Sequence, residues 1–170
     1  MIVKDLDFLR QKSLPVSIEE SNEIISLLEK ELQTSNEMGN SGIGLAAVQI
    51  GILKRVAIVR IGNIKINLVN SKILELYDPI ESEEGCLSLP GKNCKVKRYN
   101  QVVVKNEFED NKLCAYGIVS ICIQHEIDHF DRGLISDIEI KPSINIGPNM
   151  PCPCGSKIKY KKCCGANIQY

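Results

Sequence analysis

Histidine is almost absent from this 170-residue chain: there are two, and both fall in one run, His125-Glu126-Ile127-Asp128-His129. Net charge is absent too, with 21 Lys and Arg against 21 Asp and Glu, so the molecule as a whole makes no electrostatic case for nucleic acid or a membrane surface. No apolar stretch approaches the roughly 18 residues that a membrane-spanning helix needs. The opening Met1-Ile2-Val3-Lys4-Asp5-Leu6-Asp7 lacks the cationic start and apolar run of a secretory peptide. Repeats and low-complexity stretches are missing as well. The expectation is a cytoplasmic protein with no membrane and no direct sequence-specific nucleic-acid contact. Eight cysteines would suggest disulfides in a secreted chain, but in a reducing compartment clustered cysteines read as metal ligands.

What is present is ordinary globular composition, 44% hydrophobic and 25% charged, at a length that suits one domain and a small appendage. Charge is unevenly spread. From Met150 onward there are four lysines and no acid, which leaves 17 basic against 21 acidic residues before it.

Ser17 followed by Glu20 is a capping box, and Ile24, Ile25, Leu27, Leu28 and Leu32 recur at helical spacing, so residues 18–34 are expected to form an amphipathic helix. A polar loop at 36–41 precedes three β-rich runs, 55–61, 65–77 and 95–108. From about Ala115 to Phe130 the pattern turns helical, stopping at Asp131-Arg132-Gly133. Residues 141–151, with three prolines and a glycine, have linker composition.

Histidines at i and i+4 on a helix project to one side and can share a cation. A glutamate directly after the first sits beside that cation, where it can move protons between water and a leaving group. A catalytic site of this kind needs a third ligand. One class of zinc proteases places it six residues after the second histidine, but here that position is Ile135 and the intervening glycine position is Arg132. Glu139, the acid available to a second class, lies in no credible helix. The third ligand is therefore expected upstream, with Cys86 in Glu84-Gly85-Cys86-Leu87-Ser88 the best candidate. Cys94, Cys114 and Cys122 read as buried small hydrophobes. Gly42-Ile43-Gly44-Leu45-Ala46-Ala47-Val48-Gln49 adds glycines for close backbone approach and an amide that can donate to an oxyanion. It lacks the Lys-Ser/Thr of a P-loop and the third glycine of a dinucleotide fingerprint.

Gly42–Gln49, Glu84–Ser88 and Gln124–His129, in that order, resemble the three signature motifs of the peptide deformylases, and Leu9-Arg10…Pro15-Val16 resembles their N-terminal segment. The resemblance covers roughly residues 1–140. It implies an α+β fold, with mixed or antiparallel sheets packed around a central metal-binding HExxH helix. It also implies removal of the formyl group from the N-terminal formyl-methionine of nascent polypeptides, with release of formate. Carried over by position, Cys86, His125 and His129 hold a divalent ion (Fe2+ foremost, with Zn2+, Ni2+ or Co2+ as alternatives). Glu126 is the general acid and base, and Gln49 with the Leu87 N–H supports the oxyanion. Ile43, Ile118, Ile121 and Cys122 would form the methionine pocket. Gly44 and a strand over Cys86–Pro90 would pair with the substrate backbone, with Gly85 beside them, and Glu84 and Asp128 would orient loop and ligands. Lys92 stands where many members carry a basic substrate contact. The alternatives are another metallo-amidase or peptidase, or an inactive paralogue acting as a ribosome-associated binding protein.

Beyond the linker, Cys152, Cys154, Cys163 and Cys164 form two ligand pairs that suit a closed structural zinc site made of four thiolates. So short a segment cannot bury a core, and metal binding would have to fold it. The segment resembles the SEC-C motif, the zinc-binding tail of a protein-translocation motor. The expected division is therefore a catalytic domain over 1–141, a linker over 142–151 and a SEC-C-like zinc module over 152–165. The basic tail is expected to contact the ribosome.

Overall fold

The first long helix begins where its orphan amides find a partner: the Ser17 hydroxyl accepts from the Glu20 N–H at 3.3 Å. The computed structural model describes residues 1–131, 133–140, 147–152 and 154–164, in two compact units, Met1–Ile140 and Lys141–Tyr170. Arg132, Pro153, Gly165 and positions 141–146 of the expected linker lie outside the described residues.

In the first unit a short helix α1 (Leu6–Leu9) precedes α2 (Ile18–Glu37). Ser21, Ile24, Leu28, Leu32 and Ser35 recur every three or four residues and are buried, so one stripe of α2 faces the core. The helix outruns the expected end at 34 because Ser35 continues that stripe; Gly39, at φ 89°, stops it.

Strands β1 (Gly44–Ala46), β2 (Val56–Ile61) and β3 (Ile64–Val69) form one antiparallel sheet in that order. Strands β4 (Lys72–Gly85), β5 (Asn93–Lys105) and β6 (Lys112–Tyr116) form a second, again antiparallel. Helix α3 (Gly117–Asp128) packs between them: Cys122, Ile123 and Ile127 join Ala57, Val59 and Leu68 of the first sheet and Val102, Val104 and Ala115 of the second in one apolar cluster. Successive residues of β2 point to opposite faces, so Val56 and Ile58 look away from that cluster. Together with Leu45 they meet Ile24, Leu28 and Leu32 of α2 in a second one. The arrangement is α+β, with antiparallel sheets around a central helix.

Three features depart from the expected elements. The run 65–77 is two strands in two sheets, parted at Asn70. This residue adopts φ 49° while its side chain accepts from the Val16 N–H (3.0 Å) and donates to the Val16 carbonyl (2.8 Å), so the chain turns there instead of continuing. Residues 112–116 form a strand, so the helix expected from about Ala115 starts later: Val102 pairs with Ala115 and Gln101 with Tyr116, and α3 begins at Gly117, which takes φ 58°. Cys114, expected in the core, is exposed, because the alternation of β6 turns Ala115 inward and its neighbour outward. Cys94 and Cys122 are buried.

The second unit is small. Cys152 N–H donates to the Ile158 carbonyl (2.8 Å), Tyr160 N–H to that of Met150 (2.8 Å), and Pro151 bridges Lys159, which folds the segment back on itself.

Candidate active site

Cys86 follows the last residue of β4, and His125 and His129 stand one helical turn apart at the end of α3. The two imidazoles meet edge to face with centroids 5.1 Å apart. One ligand atom from each of Cys86, His125 and His129 lies within 4.8 Å of the others, and Cys86 Sγ is 3.7 Å from His129 Nε2. A thiolate and two imidazoles at this spacing fit a single divalent ion bound at about 2.0–2.3 Å.

The electrostatics agree with that fit. Burial, reinforced by His125, holds His129 well below its usual value, so its ring is neutral and can offer a lone pair. Burial also opposes charge on His125, but hydrogen bonding to Cys86 and Glu84 outweighs it and lifts the ring to about 10. The negative surroundings that attract a proton there would equally attract a cation. His125 Nδ1 donates to Glu84 Oε2 at 2.9 Å, which turns Nε2 toward the thiol.

Arg98 holds Glu84 in place, and the sequence motifs did not point to it. Its guanidinium donates to both Glu84 oxygens (2.8 and 3.0 Å) and to Asp128 Oδ2 (2.6 Å), and is only 4% exposed. Burial pushes the Glu84 carboxyl up, yet the bonds from His125 and Arg98 overcome this and hold it at about 2. Among the described residues the Asp128 side chain is thus linked to His125 through Arg98 and Glu84. The one local signal for Arg98 was a cation on the inward face of β5, in register with buried Cys94 and Val96.

Glu126 is 4% exposed, and burial pushes its carboxyl up to about 7. Its Oε2 is buried without a hydrogen-bond partner among the described residues. Gln49 is buried beside it: Oε1 accepts from the Ala46 N–H (2.9 Å), and Nε2 donates to Cys86 Sγ (3.4 Å) and Ser88 Oγ (3.2 Å). A cavity of about 410 Å³ opens on this group. Ile43, Gly44, Ile118, Ile121 and Cys122 line one side, and Gly85 and Leu87 lie on its border with Gln49, Cys86, His125 and Glu126. Lys92 instead lies 3.8 Å from Glu139. The rim is anchored from outside: the Asn36 side-chain amide, at the end of α2, accepts from the Gly42 N–H (2.7 Å) and donates to the Gly42 carbonyl (3.1 Å).

The polypeptide deformylase family model matches residues 2–142. The chain belongs to that family. Among deformylase relatives, peptide deformylase 2 of Clostridium acetobutylicum is 37% identical over 135 residues, covering 78% of this chain and 89% of its own length. The crystal structure of the deformylase from Thermotoga maritima superposes with a TM-score of 0.72 at 31% identity, over 84% of this chain and 97% of that one. A deformylase from Acinetobacter baumannii, solved with Met-Ala-Ser bound, gives 0.69 at 29% identity, over 81% and 96%.

Residues 149–166 match the SEC-C motif. Here Cys152, Cys154, Cys163 and Cys164 bring their sulfurs within 4.8 Å of one another. The Ser156 hydroxyl and amide draw the Cys154 thiol down to about 6, whereas crowding by Cys152, Cys154 and Cys163 drives Cys164 up to about 12. Four thiols competing for protons in this way fit one tetrahedral metal ion.

Proposed function

We propose that this chain removes the formyl group from the N-terminal formyl-methionine of nascent polypeptides, releasing formate, with Cys86, His125 and His129 holding the catalytic ion. The observation that carries this reading is Glu126: a buried carboxyl poised at about 7, with one oxygen unpaired, beside three converging ligands. When bound, the ion supplies a Lewis acid and lowers the pKa of water. Glu126 accepts the proton of the attacking water and returns it to the departing amine nitrogen. As charge develops on the formyl oxygen, the Leu87 N–H and Gln49 Nε2, whose 3.4 Å contact with Cys86 is long enough to yield, donate to it.

The methionine side chain lies among Ile43, Ile118, Ile121 and Cys122. The peptide backbone pairs as an added strand with Gly44 and Gly85, on edge strands β1 and β4. Cys86–Pro90, expected as a strand, is a turn closed by the Leu89 N–H on the Cys86 carbonyl (2.8 Å). Fe2+ suits a site with one thiolate and two imidazoles. The tail holds a structural Zn2+ on its four cysteines, and its lysines contact the ribosome. Among the described residues no helix is long and apolar enough to cross a membrane, and a cytoplasmic site of action accords with nascent chains as substrate.

The deciding experiment measures formate release from formyl-Met-Ala-Ser by protein loaded with Fe2+ or Ni2+, beside Glu126→Ala. Turnover that falls by about 10²–10⁴ in the variant is expected. No formate from the metallated wild-type chain overturns the reading.

A further inference from the structure

The cavity wall beside the ligands is apolar at Ile43, Ile118 and Ile121, and the neighbouring Cys122 thiol is kept protonated, burial pushing it up to about 12. One half-buried hydroxyl, Ser82, also lines it. Side chains alternate along β4, so Ser82 shares a face with Glu84, whose carboxylate reaches His125. Two residues back along a strand is about 6.7 Å. One turn back along α3 from His125 is about 5.4 Å. Ser82 therefore lines the same cavity as Ile118, Ile121 and Cys122, two residues before the glutamate that holds His125. Nearby hydroxyls are engaged: Ser88 receives Gln49 Nε2, and Ser120 donates to the Tyr99 carbonyl. The half-buried Ser82 Oγ, unlike those of Ser88 and Ser120, enters no side-chain hydrogen bond among the described residues and is open to the cavity.

A thioether is a weak acceptor, so an ordinary methionine leaves that hydroxyl desolvated and unpaired, at a cost. A sulfoxide is polar and presents an oxygen at the same point of the side chain. We propose that this enzyme also deformylates peptides whose initiator methionine has been oxidised to the sulfoxide, with Ser82 Oγ–H donating to the sulfoxide oxygen. The inference rests on the deformylase reading. Water breaks the formyl C–N bond to give formate and a free amine, while the sulfoxide passes through unchanged, so no oxidant or reductant takes part in the step.

The sulfoxide sulfur is a stereocentre, which makes the idea sharply testable. A hydroxyl fixed on a strand can reach the oxygen of one epimer and not the other. The ion-loaded full chain is assayed for formate release from formyl-Met-Ala-Ser and from each epimer of its sulfoxide. The products Met-Ala-Ser and the two Met-sulfoxide-Ala-Ser epimers are titrated calorimetrically. We expect one epimer to be favoured over the other about three- to tenfold in kcat/KM and in product affinity. Ser82→Ala abolishes the difference between epimers, and Ser82→Thr, which keeps the hydroxyl, retains it. Equal epimers in the wild type, a difference that survives Ser82→Ala, or turnover of the thioether with no turnover of either sulfoxide overturns the proposal. Formate from none of the three peptides overturns the deformylase reading and this inference with it.

Discussion

Gly44 and Glu126 share one volume: a Cβ built on Gly44 would overlap Glu126 Oε1 and stand 2.9 Å from its carboxyl carbon. The absence of a side chain on β1 is thus what lets the proton-carrying group on α3 reach the cavity. Gly44→Ala should displace the carboxylate, lowering kcat for formyl-Met-Ala-Ser by about a hundredfold. Bound metal should stay at the wild-type level, since the three atoms nearest that Cβ all belong to Glu126 and none to a ligand. A variant within twofold of wild type in kcat would show that Glu126 does not need its observed place.

Arg98 is the buried cation between two carboxylates. Arg98→Met strands Glu84 and Asp128 and should lower stability by about 3–5 kcal/mol in urea unfolding. Adding Glu84→Gln should recover part of that loss, because the first substitution leaves a charge that the second removes. A loss below about 1 kcal/mol, or no recovery, would mean that water reaches Glu84 and replaces the guanidinium.

The Arg10–Asp137 pair joins α1 to the chain beyond α3 through two bonds, 3.1 and 2.7 Å long. The bond from Arg10 is the main cause that holds the Asp137 carboxyl below its ordinary 3.8. A lowered carboxyl pKa contributes stability above the ordinary value, and that stability disappears as pH falls through the lowered one. The stability gap between wild type and Arg10→Met should therefore be open at neutral pH and should close in acid, starting below 3.8. Urea midpoints across that range measure it, and a gap that is constant with pH rules the linkage out.

Metal analysis of anaerobically purified protein should find two ions per chain, and one in Cys154→Ser. Loss of the tail ion should remove hydrogen-exchange protection from residues 147–164 while leaving turnover of the short peptide intact. Deleting residues 150–170 should weaken ribosome co-sedimentation, and the remaining binding should depend less steeply on salt. Unchanged co-sedimentation argues against the lysines as the contact.

The site was legible where its chemistry is contiguous. His125, Glu126 and His129 lie within one helical turn, and Cys86 and Gln49 each sit in a short segment with its own character. The start of α2 was legible because the Ser17 hydroxyl satisfies the Glu20 amide locally, although the Glu20 carboxylate, expected to reach back in a capping box, meets Lys54 instead (3.0 Å). Arg98 was not, since its partners are 14 and 30 residues away and only the packing of β4, β5 and α3 makes them neighbours. The same holds for β6. Lys112–Tyr116 reads as a strand only once β5 is alongside, and the break at Asn70 depends on Val16, 54 residues earlier. Long-range pairing, not local preference, decides these places.

The clamp of Asn36 on Gly42 has a consequence in time rather than space. It ties the cleft rim to the last turn of a helix, and last turns fray on a nanosecond-to-microsecond scale. The rim therefore inherits the rhythm of helix fraying, well ahead of catalytic turnovers that typically take milliseconds to a second. Substrate entry paced by that fraying would show in a solvent that stiffens or loosens helices, which should change KM for formyl-Met-Ala-Ser before it changes kcat.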